Sequence, residues 1–333
     1  MNILITGGAG YIGSHAVVCL AQAGHQITIL DNLCNSNESI VGQIAQILAY
    51  PVHFVNADVR NTELLKQVLQ ERKIEAVLHF AGLKSVAQSV ADPMLYYSNN
   101  VQGSASLIEA MQANAVKTLV FSSSATVYGD PIYMPYDEQH STNPINPYGN
   151  SKLAVEMMLR DWAHSDSQVR VSILRYFNPV GAHESGLIGE SPRGIPNNLM
   201  PYIISVVSGA LPQLNIFGND YETRDGTGER DYIHVMDLAE GHLAALDFLI
   251  HHPGAHIHNL GTGKGTTVLE LIKAFETANS VKIAYQFSPR RDGDLPSYYA
   301  NANKAFSELM WNPLRTIEDS SRDSYRYFQT MLQ

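Results

Sequence analysis

The feature that most constrains this chain is its beginning. A short apolar run, Ile3-Leu4-Ile5, leads into Thr6-Gly7-Gly8-Ala9-Gly10-Tyr11-Ile12-Gly13 and then Ser14-His15-Ala16-Val17-Val18-Cys19-Leu20. The apolar run reads as a buried strand, and the residues after the glycines as a helix ending at Gly24. Strand, tight glycine turn and helix make half of a βαβ unit. Glycine is needed in the turn because the backbone must reverse sharply and approach a phosphate with no Cβ in the way. The open N–H groups of the helix start then favour the phosphate's negative charge.

Glycine spacing alone is a weak signature, since any glycine-rich turn imitates it. The next segment narrows it: Gln26-Ile27-Thr28-Ile29-Leu30 reads as a second strand and ends on Asp31. A carboxylate there accepts from both hydroxyls of an adenosine ribose and repels a 2′-phosphate. The expected cofactor is therefore NAD rather than NADP.

Further short β-runs at 52–55, 76–80, 118–121 and 169–174 alternate with helical patterns at about 38–49, 62–72, 93–113 and 147–164. This predicts an α/β fold: a doubly wound, Rossmann-like parallel sheet with helices on both faces. Ligands of such sheets bind beyond the carboxyl ends of the strands. The loops there carry residues 7–13, Asp31, Asp58, 82–84 and 122–124, which should meet along one edge. Past Gly181 the alternation loosens and Gly and Pro become frequent, the mark of a second, smaller mixed α/β substrate domain. The expected division is an NAD-binding domain at 1–177, with about 232–262 packing back onto it, and a substrate domain at 178–333.

A chain of 333 residues has room for both. The formal net charge of −10 argues against a nucleic-acid groove. No leader pattern and no apolar run of membrane-spanning length occurs, so a cytoplasmic protein with no membrane partner is expected. The two cysteines, Cys19 and Cys34, make no disulfide framework, and no H-E-x-x-H or C-x-x-C spacing suggests a metal.

Asn146 is a good helix N-cap and Pro147 a good first helical residue, so Tyr148 and Lys152 should share one face of a helix, with Asn150 turned away. A free phenol has a pKa near ~10, and lowering it by ~3 units takes about 4 kcal/mol. One cation at ~4 Å supplies about that at an effective dielectric of ~20. Lys152 can be that cation, and an oxidised nicotinamide would add a second. Ser124, at the end of a strand with Thr126 close by, is placed to meet the phenol. Taken alone, Tyr-x-x-x-Lys equally describes a capping tyrosine and a solvated lysine.

With the glycine loop, that pair looks like an extended short-chain dehydrogenase/reductase. Longer blocks narrow the likeness: 31–36 (Asp-Asn-Leu-Cys-Asn-Ser), 79–84 (His-Phe-Ala-Gly-Leu-Lys), 122–129 (Ser-Ser-Ser-Ala-Thr-Val-Tyr-Gly), 175–183 (Arg-Tyr-Phe-Asn-Pro-Val-Gly-Ala-His), 197–202 (Asn-Asn-Leu-Met-Pro-Tyr) and 230–235 (Arg-Asp-Tyr-Ile-His-Val). Together they resemble the UDP-glucose 4-epimerase family over nearly the whole chain.

The resemblance implies that Tyr148 removes the sugar 4-hydroxyl proton as hydride passes from C4 to NAD. Ser124 holds the same oxygen, and the 4-keto sugar turns over to take the hydride back on its other face. It implies NAD contacts from Gly7, Gly10, Tyr11, Ile12, Gly13, Asp31, Asn32, Asn35, Ser36, Asp58, Val59, Phe80, Ala81, Gly82, Lys84, Asn99, Ser124, Tyr148, Lys152 and Phe177. For the UDP-hexose it implies Lys84, Ser124, Thr126 and Tyr148 at the sugar, Asn178, Asn198 and Leu199 along the nucleotide, and Asn215, Ile216 and Phe217 beside the uracil. Arg230 and Arg291 would hold the diphosphate, with Asp294 nearby. Tyr298 would border the sugar, where a tyrosine goes with glucose and galactose rather than N-acetylated sugars. A homodimer, joined by the helices near 93–113 and 148–164, is implied as well.

Another NAD-dependent nucleotide-sugar epimerase is an alternative reading, and three further ones fit parts of the pattern. A nucleotide-sugar 4,6-dehydratase needs an Asp-Glu pair after the strand-end hydroxyl, where this chain has Ala125-Thr126. A reductase that releases NADPH conflicts with Asp31. A dinucleotide-sensing regulator would not need the Tyr148/Lys152 pair.

Overall fold

The computed structural model describes residues 1–192, 196, 198–291 and 293–332. Its centre is a seven-stranded sheet built from β1 (Asn2–Thr6), β2 (Gln26–Asp31), β3 (His53–Asn56), β4 (Ala76–His79), β5 (Thr118–Ser124), β6 (Arg170–Tyr176) and β11 (Gly254–Leu260). The strands lie in the order β3-β2-β1-β4-β5-β6-β11, and every pair is parallel. The order reverses between β1 and β4, and ligands of such sheets bind at that reversal.

Alternate side chains of each strand feed two cores. Ile3, Ile5, Ile29, Leu78, Val120 and Leu174 pack with α1 (Tyr11–Gln22) and α9 (Val235–His251). Leu4, Leu30, Val77, Leu119, Val171 and Ile173 pack on the opposite face with α3 (Thr62–Glu71), α6 (Gly103–Ala113) and α7 (Pro147–Ser165). A sheet covered on both faces explains why its strands read as nearly unbroken apolar runs. α2 (Ser39–Leu48) packs beside α1.

Helix starts follow local chemistry. Asn61 caps α3 through Leu64 N, and Asn146 caps α7 through Gly149 N at 2.9 Å, with Pro147 as the first helical residue. Two stretches differ from the sequence pattern. α1 starts at Tyr11, directly behind Gly10, so its N-terminal N–H groups face the glycine turn. The helix expected over 93–113 is divided into α5 (Pro93–Tyr96), a π-helical segment (Tyr97–Gln102) and α6. Asn100 in that wider turn is drawn to the loop after β4, where it accepts from Leu83 N at 2.8 Å and donates to Leu83 O at 3.1 Å. The short α4 (Val86–Ala91) precedes it.

The remaining elements form small sheets. β7 (Asn178–Val180) pairs with β10 (Tyr232–His234), and β8 (Leu214–Phe217) with β13 (Tyr285–Ser288). β9 (Glu229–Arg230) lies between β12 (Thr266–Thr267) and β14 (Ser297–Tyr298). With α8 (Leu199–Val207) and α10 (Val268–Asn279) they enclose a third core around Val180, Met200, Ile203, Leu214, Ile216, Leu271 and Phe275. α11 (Asn303–Glu308) and α12 (Ile317–Met331) complete the chain. Among the described residues no helix is long and apolar enough to cross a membrane.

Candidate active site

The glycine turn is a cradle that side chains would fill. Gly7 sits at φ +70°, and a Cβ on it would fall 2.6 Å from Ala81 N. A Cβ on Gly13 would lie 2.2 Å from Gly7 O. The turn is therefore pressed against Phe80 and Ala81 at the end of β4, and the first turn of α1 is pressed against the loop. Asp31 fixes its other side: the carboxylate accepts from Ala9 N at 3.1 Å, Leu33 N at 2.8 Å and Ser36 Oγ at 2.9 Å. One acid beside a bare backbone loop suits a dinucleotide, with pyrophosphate over the turn and ribose at the carboxylate. Among the described residues no cluster suited to a metal ion occurs.

The adjacent strand end adds Asp58, bound by Asn32 Nδ2 at 3.1 Å and by Arg60 through Nε and NH2 at 2.9 and 2.8 Å. The Arg60 guanidinium holds the Asp58 carboxyl well below the usual carboxylate range. Val59 is buried, Asn99 and Ile12 are half-buried and Asn35 is exposed. Tyr11 reaches across to β7 and donates to Gly181 O at 2.7 Å.

Tyr148, Lys152 and Ser124 converge where α7 meets the end of β5. A Cβ on Gly82 would stand 3.6 Å from Lys152 Nζ, so the lysine opens directly onto the loop after β4. Lys152 is 5 % exposed and donates to Ser122 O at 2.8 Å. Its Nζ lies 5.0 Å from the Phe121 ring centroid and 6.0 Å from that of Tyr148. Burial brings the ammonium down to about 8, with Glu156 acting against that shift. The Tyr148 phenol moves the other way: burial pushes it up to about 12, and the Ser124 hydroxyl offsets part of this. Burial therefore leaves Lys152 and the expected nicotinamide cation a larger shift to supply than helix spacing alone implied. The ammonium is directed at the Ser122 carbonyl, and the phenol's shift is set by its loss of water, with the Ser124 hydroxyl against it and Tyr96 adding to it.

Ser124 Oγ accepts from Thr126 N at 3.2 Å and Thr126 Oγ1 at 2.9 Å, which leaves its own proton to donate. Phe177 follows β6, its ring 5.2 Å from that of Tyr298. The Tyr298 ring is also 5.0 Å from that of Tyr136, and its hydroxyl is buried with no hydrogen-bond partner among the described residues. Burial lifts this phenol well above its usual range, and it lies within electrostatic reach of both Tyr148 and Arg230.

Arg230 and Arg291 are brought to one region, both acting on Tyr221. Arg230 donates to Glu229 O at 2.8 Å and Leu295 O at 2.9 Å. Arg291 pairs with Asp294 at 2.8 Å and lies 4.8 Å over the Phe217 ring. Phe217 and Asn215 face outward from β8, whereas the Ile216 side chain points into the third core and can offer a ligand only its backbone. Asn178 joins its strand to Asp231, and Leu199 opens α8. Asn198, the N-cap of α8, makes no side-chain cap; its Nδ2 donates at 2.6 Å to Glu190, which also pairs with Lys84 at 3.1 Å. Asn197 lies outside the described residues.

Four residues at the site were not picked out from the sequence. Asn100 binds Leu83 and Ser151 and so ties the loop after β4 to α7; an asparagine doublet inside a helical pattern was its signal. Glu156 on α7 and Arg175 on β6 form a buried pair, and an arginine directly after Ile173-Leu174 was the trace it left. Glu190, joining Lys84 to Asn198, left none.

The comparisons agree with this geometry. A family model described as the NAD dependent epimerase/dehydratase family matches residues 3–261. A UDP-glucose 4-epimerase of Neisseria meningitidis serogroup A is 52 % identical over 327 residues, covering 98 % of this chain and 96 % of the relative. The corresponding protein of Bacillus subtilis strain 168 is 51 % identical over 98 % of this chain and 96 % of its own length. The UDP-glucose-4-epimerase of Stenotrophomonas maltophila, solved with NAD and formylated UDP-arabinopyranose, superposes with a TM-score of 0.98 at 49 % identity over 100 % of this chain and 99 % of that one. That of Bifidobacterium longum, solved with NAD+ and UDP, gives 0.94 at 46 % identity over 99 % and 98 %. A dinucleotide cradle, a tyrosine–lysine pair opening onto it and near-complete coverage by these relatives lead to one conclusion: the chain belongs to the NAD dependent epimerase/dehydratase family.

Proposed function

We propose that this enzyme interconverts UDP-galactose and UDP-glucose, inverting C4 of the hexose through a 4-keto intermediate with NAD as its bound cofactor. The observation that carries this is the position of Tyr298. Its buried hydroxyl, partnerless among the described residues, lies within electrostatic range of both Tyr148 and Arg230, the neighbourhood expected for a hexose between a base and a diphosphate. Curated relatives of about half identity bear the same activity as their name.

Gly7, Gly10 and Gly13 leave room for the pyrophosphate, and Asp31 receives the adenosine ribose. Held there, NAD would supply a reversible hydride acceptor for C4 and a positive ring adding to the field at the phenol. Tyr148 accepts the 4-hydroxyl proton and later gives it back. Ser124, its oxygen already occupied by Thr126, donates to O4 and steadies it. Lys152 supplies positive charge beneath the phenol. Arg230 and Arg291 exchange their present partners for the diphosphate, whose oxygens match the planar guanidinium. With the nucleotide held, the keto-hexose can rotate without leaving. Ala125 and Thr126 supply no acid–base pair for eliminating water, which argues against the dehydratase reaction.

The cofactor half corresponds to 1–177 with 232–262, and the UDP half to the rest of 178–333. Val90, Met94 and Met157 stand 63, 70 and 53 % exposed on α4, α5 and α7, which pack together; this apolar surface supports a homodimer through those helices. A cytoplasmic setting in galactose metabolism fits a reaction that runs on NAD and a nucleotide sugar. Incubating the purified protein with UDP-galactose, with no NADH added, should yield UDP-glucose. No UDP-glucose, or an obligatory supply of reduced cofactor, would refute the proposal.

A further inference from the structure

Beneath Lys152 lies an ion pair that the reaction as described does not use. Glu156 is four residues further along α7 and shares the lysine's face of the helix. Its side chain is 0 % exposed and that of Arg175, its partner on β6, is 3 %. Arg175 binds it in bidentate fashion, Nε to Oε1 at 2.9 Å and NH2 to Oε2 at 2.5 Å, and Ser123 Oγ donates to Oε1 at 2.5 Å. The guanidinium in turn lies 4.8 Å over the Tyr128 ring. Stability does not account for such a pair, because apolar residues of like volume commonly serve as well or better in a core.

The other titratable groups around Lys152 offer it no negative charge. His79 on β4 is held neutral by burial, with its ring nitrogens on Thr6 Oγ1 and Ser104 Oγ. Tyr176 on β6 is hydrogen-bonded to Ser122, and burial keeps it a neutral phenol. Tyr96 on α5 and Tyr148 on α7 are neutral as well. Among these groups Glu156 is the one carboxylate, and its charge favours the ammonium.

We propose that Glu156 is a positioning residue that acts through Lys152: clamped by Arg175 and Ser123, its carboxylate keeps the buried lysine charged and seated on the Ser122 carbonyl. Arg175 is the clamp that holds this carboxylate in its orientation. The inference rests on Lys152 being the cation of the proposed reaction, and its test does not need turnover.

The ¹⁵N resonance of the Lys152 side chain, assigned by its loss in Lys152→Met, can be followed with pH in the full-length protein. Two proteins are compared with the unaltered one: Glu156→Gln, and the apolar double variant Glu156→Leu/Arg175→Met, which leaves no unpaired charge in the core. The expected result is a titration midpoint lowered by about one pH unit in both, together with an alkaline limb of kcat/KM that moves down by a similar amount. An unchanged midpoint in the double variant overturns the proposal. So does a shift confined to Glu156→Gln, which would trace to the uncovered Arg175 charge. A shifted midpoint in a protein that fails to epimerise UDP-galactose would refute the proposed reaction and leave the inference standing.

Discussion

Replacing Lys152 by methionine separates the two cations of the proposed reaction. In the enclosed site the Tyr148 phenol stands at about 12. Half-ionisation at pH 7 then requires a shift of ~5 units, or about 7 kcal/mol. The Lys152 ammonium, 6.0 Å from the ring centroid, supplies about 3 kcal/mol at an effective dielectric of ~20, equivalent to ~2 units. A second positive charge at ~4 Å supplies about 4 kcal/mol. Together they reach neutrality, and neither does so alone. A cation favours the phenolate, so its loss raises the phenol's pKa. In the NAD-loaded Lys152→Met enzyme the acid limb of kcat/KM should move up by ~2 pH units. The rate at pH 7 should fall about 100-fold and recover roughly tenfold per unit of added pH. The assay is conversion of UDP-galactose across the pH range, with retained NAD measured for each sample. A loss of equal size at every pH, with the limb unmoved, would refute the electrostatic argument. The same variant carries a stability signature. Burial lowers the lysine from 10.5 to about 8, so the unfolded chain holds that proton more tightly. Burying the ammonium therefore costs about 3 kcal/mol at pH 7, and this cost fades as pH rises from 8 toward 10.5. The methionine protein should melt higher at pH 7, and its advantage should disappear in alkali.

Gly13→Ala would place a Cβ 2.2 Å from Gly7 O, and should cost about 1–3 kcal/mol while stripping NAD from the purified protein; a full complement of NAD with an unchanged Tm would contradict this. On the proposed reading Tyr298 borders the hexose, so UDP-N-acetylglucosamine should be a poor substrate, and Tyr298→Ala should narrow its gap from UDP-glucose in kcat/KM. Comparable turnover of both sugars by the unaltered enzyme would rule out that role for the ring. Met157→Asp sets a charge in the apolar surface of α4, α5 and α7 and should turn a dimer into a monomer by sedimentation; an unaltered protein that is already monomeric would exclude the dimer.

The sequence by itself determined what depends on local period and local backbone geometry. Apolar runs separated by helical patterns specified a parallel sheet covered on both faces, and the rule that ligands lie beyond the carboxyl ends gathered Gly7, Asp31, Gly82 and Ser124 onto one edge before any coordinate was needed. The four-residue spacing of Tyr148 and Lys152 put both on one helical face, because that spacing is a property of the α-helix itself. Only the tertiary structure decided how those groups are charged and which distant partners they meet. Lys152 is turned to the Ser122 carbonyl and Tyr148 is enclosed, so the phenol is less acidic than helix spacing implied. The meeting of Glu156 with Arg175, of Lys84 and Asn198 on Glu190, and of Tyr298 with Tyr136 and Phe177 joins segments far apart in the chain. Spacing along a helix is carried by covalent geometry, whereas a proton's affinity depends on how much water the whole fold removes and which charges it brings near.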